Sequence, residues 1–272
     1  MKNQGKTIYQ KIVVWFQNKL LFVIIWLVLT SIITFFTAYK FISEAYRNSI
    51  GYKSLLYKKI QKLNTKQNID YFKQVLGIPS IIKTYSEGKR KKFIFINEYY
   101  YIQANIDTDN NVQSFSVISR KKDFQPTYTV NSTIDRSINK KIFTVTLNKN
   151  RFYDFQKTIT NDEYKNPYCS SNWWPKGFVY SEGYYLGGEG DYQSLYVGID
   201  NDGYYENLFD TSFWENLFTV TDCKEIPDGF RKNIVNGFML TNETSESALF
   251  LIRKKNIIVD FGIDQYDVGL TK

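Results

Sequence analysis

Residues 20–39 read LLFVIIWLVLTSIITFFTAY, twenty residues without a single charge. At about 1.5 Å of rise per residue, a helix of that length matches the hydrocarbon core of a bilayer. The sequence therefore predicts one membrane span, preceded by a basic tail at residues 1–19 and followed by a long water-facing part. A cleaved secretory signal shares the charged-then-apolar order, but its apolar core is shorter, ~7 to 15 residues, and ends in small side chains. Here the run closes on Phe36, Thr37, Ala38 and Tyr39, and the first cysteine is Cys169, far from any lipoprotein processing position. Trp15, Phe16 and Tyr39 stand near the two ends, where amphipathic rings suit the headgroup level.

Charge divides the chain at the same place. The whole protein carries +8, yet residues 1–62 hold ten Lys and Arg against the single Glu44, leaving residues 63–272 at −1. The basic pI of about 9.1 thus comes from the flanks of the span, where Lys and Arg meet anionic headgroups. The clusters Lys89 to Lys92, Arg120 to Lys122 and Arg253 to Lys255 border strand-like runs and read as solvated turns and strand gatekeepers, so no nucleic-acid partner is expected. Orientation is closely balanced. Lys2, Lys6, Lys11 and Lys19 lie on one side, and Lys40, Arg47, Lys53 and Lys58 with Glu44 on the other. The free amine and the weak influence of charge on translocating a long domain favour an N-terminus inside, with the soluble part outside the cytoplasm of a bacterial inner membrane. In an oxidising compartment Cys169 and Cys223 form one disulfide; the other reading is two buried thiols.

Residues 40–62 read as a helical stem interrupted near Gly51, with Ile50, Leu55, Leu56 and Ile60 supplying a sticky edge for a second copy or a partner's span. Beyond it, two segments share an order of landmarks. Residues 63–122 contain Leu63-Asn64, a helix through Phe72, Pro79, Tyr85-Ser86-Glu87-Gly88 and Ile106-Asp107-Thr108-Asp109. Residues 123–272 contain Leu147-Asn148, a segment through Phe155, Pro175, Tyr180-Ser181-Glu182-Gly183 and Ile199-Asp200-Asn201-Asp202. The main difference is an insertion at residues 161–174, and the spacers between the YSEG element and the acidic turn differ by two residues, which keeps every strand side chain on its face. Recurring turn chemistry is the competing explanation.

Locally, residues 70–76 form a helix stopped by Gly77 and Pro79, and residues 92–106 two strands about Asn97-Glu98. Asp107 to Asn111 is a turn, residues 112–119 return, and residues 194–199 with 204–209 repeat that hairpin. Residues 127–130, 142–147 and 237–241 are further strands, with a C-terminal hairpin at 248–252 and 257–261. The expected class is α+β: one N-terminal transmembrane helix plus a soluble region of two similar helix-plus-antiparallel-sheet units.

The stretch Leu76-Gly77-Ile78-Pro79, Phe93 to Phe95, Ile106-Asp107-Thr108-Asp109 and Val112 to Val117 resembles the small outer-membrane lipoproteins of the SmpA/OmlA type. Their pattern is a helix ending in L-G-x-P, an aromatic strand, an acidic turn and a returning strand. The whole chain is also similar to single-span bacterial envelope proteins. The second segment keeps only Pro175, and no lipobox cysteine is present. The resemblance implies a binding or assembly module and carries over no catalytic residue.

Chemistry-bearing constellations are sparse. The chain has no His, which removes imidazole-based triads, His-ligated zinc and imidazole pH switching. Gly187-Gly188-Glu189-Gly190 lacks the Lys-Ser/Thr of a phosphate loop. Asp200, Asp202 and Glu206 offer oxygen ligands, but Thr211 stands where a calcium loop closes with Glu, so a plain turn is the simpler reading and no cofactor is expected. Glu182 and Glu189 support glycoside hydrolysis only if folding brings them ~5 to 9 Å apart. Aromatic residues make up 18% of the chain, and Trp173, Trp174, Tyr180, Tyr184 and Tyr185 crowd a loop-rich segment with Glu182. They form either a stacking surface for sugar rings or peptide side chains, or the core of a small sheet domain. The function expected is a non-enzymatic membrane-anchored envelope protein binding a protein or cell-wall partner. The alternatives are a membrane-bound carboxylate hydrolase and a cytoplasm-facing sensor.

Overall fold

The computed structural model describes residues 4–47, 50–85, 90–131, 142–158, 168–174, 177–186, 193–201, 226 and 229–242. They form two units, residues 1–55 and 56–272. The first unit is dominated by the helix α1, Gln4–Arg47. Its apolar stretch, Lys19–Tyr46, runs for 28 residues, and from residue 19 to 42 every residue is exposed. A helix apolar all round suits a bilayer or a large core rather than water. Its hydroxyls are satisfied within the helix: Thr30 donates to the Trp26 carbonyl at 3.0 Å, Ser31 to Leu27 at 2.7 Å, Thr34 to Thr30 at 2.8 Å and Thr37 to Ile33 at 2.8 Å. No side-chain donor of these four then needs water. The Lys19 ammonium sits 4.5 Å from the Trp15 ring centroid. A helix of this length and composition near the N-terminus fits a membrane anchor or a signal sequence. The stem follows as α2, Ile50–Gln61, and residues 48–49 between the helices lie outside the described residues.

The second unit is α+β, as its patterning predicts. After α2 come α3 (Ile69–Leu76), β1 (Ile81–Tyr85), β2 (Arg90–Ile96), β3 (Tyr100–Ile106), β4 (Val112–Ser119), β5 (Thr127–Asn131) and β6 (Ile142–Thr146). Then follow α4 (Phe152–Thr158), β7 (Tyr168–Trp174), β8 (Gly177–Tyr185), β9 (Ser194–Asn201), a 3-10 turn (Phe230–Lys232) and β10 (Gly237–Thr241). Eight strands make one antiparallel sheet in the order β1-β2-β3-β4-β10-β9-β8-β7, and β5 pairs with β6 apart from it. The segments sharing landmarks thus contribute to a single sheet joined where β4 meets β10.

The helix α3 starts where Asn68 accepts the Asp70 N–H at 2.9 Å and ends at Gly77, whose φ of 100° favours glycine. The β3–β4 turn is wound around Asp107. Its Oδ1 accepts the N–H groups of Asp109 and Asn111 at 2.9 and 2.8 Å, while Asn110 takes φ 64°. The expected strands at residues 112–119 and 237–241 appear with those bounds.

Cross-strand register sorts the sheet's side chains into two faces. On one lie Phe93, Ala104, Phe115, Leu240, Leu195 and Tyr184, in line across successive strands. This face carries the helices. Phe72 of α3 meets Phe115 edge-on at 5.5 Å, Tyr128 of β5 stacks on Phe238 at 4.6 Å, and Phe152 of α4 meets Tyr180 at 5.2 Å. The other face holds a buried cluster of Ile94, Tyr101, Ile118, Tyr196 and Met239.

Two expectations change. β9 lies between β10 and β8, and residues 204–209, expected to return beside it, lie outside the described residues. The YSEG elements also differ in place: Tyr85 ends β1, whereas Tyr180 to Gly183 lie inside β8, and residues 86–88 are outside the described set. The C-terminal hairpin, Pro175, Asp202 and Glu206 are outside it as well.

Gly183 is needed for space, since a Cβ there would stand 2.4 Å from Cε1 of the buried Tyr196 ring directly across the pair. Gly183→Val should cost about 2 kcal/mol, the usual scale for overpacking a closed site. Denaturant unfolding followed by tryptophan fluorescence measures it, and an unchanged midpoint would contradict this packing.

Candidate functional site

Alternation along β8 puts Tyr180, Glu182 and Tyr184 on the helix-bearing face, with Gly183 and Tyr185 on the other. The three residues of the sequence candidate therefore converge, but inside the protein. Glu182 has no exposed surface at all, and Tyr180 and Tyr184 are buried beside it. The Tyr180 hydroxyl donates to Oε1 at 3.0 Å, and the Tyr184 hydroxyl to Oε2 at 2.8 Å. Arg231, from the 3-10 turn, brings its Nε within 3.5 Å of Oε1.

Aromatic rings roof the carboxylate. Phe152 lies 5.2 Å from Tyr180 and 6.0 Å from Phe230, Phe230 meets Tyr180 edge-on at 4.8 Å, and Phe155 is 6.2 Å from Tyr184. An acid on the buried face of a strand costs free energy unless each oxygen is paired, and here each oxygen has a phenol donor with one guanidinium beside them. Burial dominates and raises the Glu182 carboxyl above its usual value, while the bonds from Tyr184 and Tyr180 and the charge of Arg231 pull it down. Burial, with the neighbouring carboxylate, also pushes both tyrosines up.

The other candidates separate from this cluster. Tyr185 is half-buried on the opposite face. Trp173 and Trp174 close the edge strand β7, where their backbones pair with Phe178 and Gly177. Cys169 pairs with Glu182 across β7 and β8, and Cys223 lies outside the described residues. Asp200, offered for metal binding, is the penultimate residue of β9. There the Asn236 side chain clasps its backbone, accepting the N–H at 2.9 Å and donating to the carbonyl at 2.8 Å. Among the described residues no group of three or more His, Cys, Asp and Glu side chains is gathered for a metal.

Sequence reasoning missed Arg231 and Asn236. Neither carries a local signal, because each gains its partner only when the segment before β10 returns to β8 and β9. It also missed Asn148, whose φ is 55° and whose Nδ2 reaches Ser119 Oγ at 2.7 Å and the carbonyls of Phe124 and Lys121 at 2.8 and 2.9 Å. What the Glu182 arrangement does chemically is hold: the Arg231 guanidinium ties the 3-10 turn to the carboxyl on β8, and α4 packs on the two phenols through Phe152 and Phe155. In comparison with known proteins, no protein-family model matches the chain, and neither a curated protein nor a solved structure matches it.

Because folding raises the proton affinity of Glu182, its linkage runs opposite to that of a salt-bridged surface acid. Stability is greatest below the ordinary carboxylate value of 4.5 and falls as pH rises through the raised value. Unfolding in urea at a series of pH values should show this decline, and Glu182→Gln should flatten it; equal slopes in the two proteins would contradict the assignment. Arg231→Ala leaves the Glu182 carboxyl with phenol donors only and should cost about 2 kcal/mol by the same urea unfolding.

Proposed function

We propose that this chain is a non-enzymatic, membrane-anchored protein of the bacterial cell envelope whose soluble α+β module binds a protein or cell-wall partner. One observation carries the reading. An apolar helix exposed from residue 19 to 42 is joined in the same chain to a unit whose acidic–aromatic cluster is closed to solvent. The helix acts as a retained anchor in the inner membrane, its long apolar run and bulky end being unsuited to cleavage. The module faces away from the cytoplasm, and the likeness of residues 76–117 to the SmpA/OmlA pattern supports a binding or assembly role.

Tethering supplies the mechanism. Confinement to the membrane surface raises the effective concentration of the module for a neighbouring envelope protein, so modest affinity suffices. The burial of Glu182 weighs against its use as a hydrolytic carboxylate, since a substrate bond has no described approach to it. Trp173, Trp174 and Tyr185 remain as the aromatic members of a partner surface, and the span or stem as a place for self-association.

The full chain expressed in bacteria should stay in the membrane pellet after alkaline carbonate washing and keep its unprocessed N-terminus by mass. A phosphatase fused after Lys272 should be active, and a cytoplasm-dependent fluorescent protein there dark. Recovery in the soluble fraction, or N-terminal sequencing that starts beyond residue 39, would overturn the anchor. The reverse reporter pattern would favour a cytoplasm-facing sensor.

A further inference from the structure

We propose that Asn236 is a site of self-modification: when β10 leaves the sheet, its side-chain amide closes on the Gly237 nitrogen, and the acid that results keeps the strand from returning. Asn236-Gly237 is the one Asn-Gly pair in the chain. Glycine has no Cβ, so its nitrogen is the least hindered neighbour an asparagine can have, and the backbone around it turns freely. The Gly237 nitrogen attacks Asn236 Cγ. A new C–N bond closes a cyclic imide, and the bond from Cγ to Nδ2 breaks with loss of ammonia. Water then opens the ring at either carbonyl, leaving aspartate or its isomer, in which the chain runs through the side-chain carbon. Nothing is oxidised or reduced, and water is the co-reactant.

In the closed sheet every polar group of Asn236 is held. The residue is 3% exposed. Its Oδ1 accepts the Asp200 N–H at 2.9 Å, and its Nδ2 donates to the Asp200 carbonyl at 2.8 Å. Its own N–H donates to the Gly198 carbonyl at 3.0 Å, and its own carbonyl accepts the Ser119 N–H at 2.8 Å. Ring closure turns Cγ from Asp200 toward Gly237 and so breaks both side-chain bonds in a buried place, which is costly. The partners belong to β9 and β4, the two neighbours of β10. Protection therefore lasts as long as β10 stays between them.

The product does not fit the place its precursor left. An ionised carboxylate only accepts, so the Asp200 carbonyl loses its donor and a charge enters a buried position. The isomer also adds a carbon to the backbone just before Gly237, whose partners are Ile118 on β4 and Gly198 on β9, and so shifts the register of both pairs. A reversible opening of the strand that joins the two halves of the sheet becomes permanent. Asn242, just past β10, is followed by Glu243, whose side chain hinders the same reaction, and it serves as an internal reference.

The test keeps the full chain in detergent micelles at neutral pH, with and without urea, and follows the tryptic peptide from Asn233 to Arg253 by mass spectrometry. Fragmentation assigns conversion to Asn233, Asn236 or Asn242. At Asn236 it should be on the order of a hundredfold slower without urea, the ratio set by the rare opening of a core strand. In urea it should outrun Asn242, and Gly237→Ala, which there has no fold to disturb, should remove that lead. Once urea is withdrawn, unconverted chains should regain slow amide exchange on β10 and converted chains should not. Asn236→Asp, produced without any exposure to urea, should lack the slow exchange as well. Equal rates with and without urea, a lead unaffected by Gly237→Ala, or slow exchange on β10 in converted chains or in Asn236→Asp overturns the proposal.

Discussion

The pairing of β4 with β10 is the contact on which the second unit depends. Gly237 to Thr241 run antiparallel to Ser114 to Ile118, with Phe238 opposite Val117 and Leu240 opposite Phe115. Through these five pairs the run β1–β4 and the run β7–β9 become one sheet rather than two small ones. A lone four-stranded sheet has two apolar faces and little to cover them. The eight-stranded sheet offers one continuous face on which Phe72, Tyr128 and Phe152 all find aromatic partners. The contact joins residues far apart in the chain, so forming it carries a larger closure entropy than the local hairpins do.

Polar side chains fix the places where the sheet must stop or be crossed. Asn236 substitutes for a strand neighbour at the end of β9, satisfying both backbone groups of Asp200 where β10 has not yet begun. Asn148 performs a similar task between β6 and α4, gathering the hydroxyl of Ser119 and the carbonyl of Phe124. Glu182 is the costly member of this set. Its carboxyl is enclosed, and what makes it tolerable is that both oxygens are bonded and that Arg231 stands beside them. Such a group specifies one arrangement of α4 and the 3-10 turn more than it stabilises the fold.

Local chemistry made much of this legible in the amino-acid order. The charge-free run betrays the exposed helix, Gly77 and Pro79 betray the end of α3, and the Asp107 turn betrays the β3–β4 hairpin. Long-range pairing was not legible: nothing near residue 204 says that β9 is already flanked, and nothing near Arg231 says that it faces Glu182. The aromatic segment holding Trp173, Trp174, Tyr180, Tyr184 and Tyr185 reads as loop-rich in the sequence because Gly and acidic residues interrupt it. Yet Tyr, Trp and Val are strong strand formers, and Tyr180, Glu182 and Tyr184 share one face at a strict period of two. That period places the acid in the core with the rings, so three of the candidate binding residues lie inside the protein.

The joining of the two runs through β4 and β10 is best tested by nuclear Overhauser contacts in the deuterated, methyl-labelled full chain. Contacts between the Val117 and Ile118 methyl groups and the backbone amides of residues 237–239 are predicted, together with slow amide exchange on both strands. Absence of those contacts, or exchange from β10 as fast as from a frayed edge while β3 and β4 stay protected, would contradict the single-sheet account.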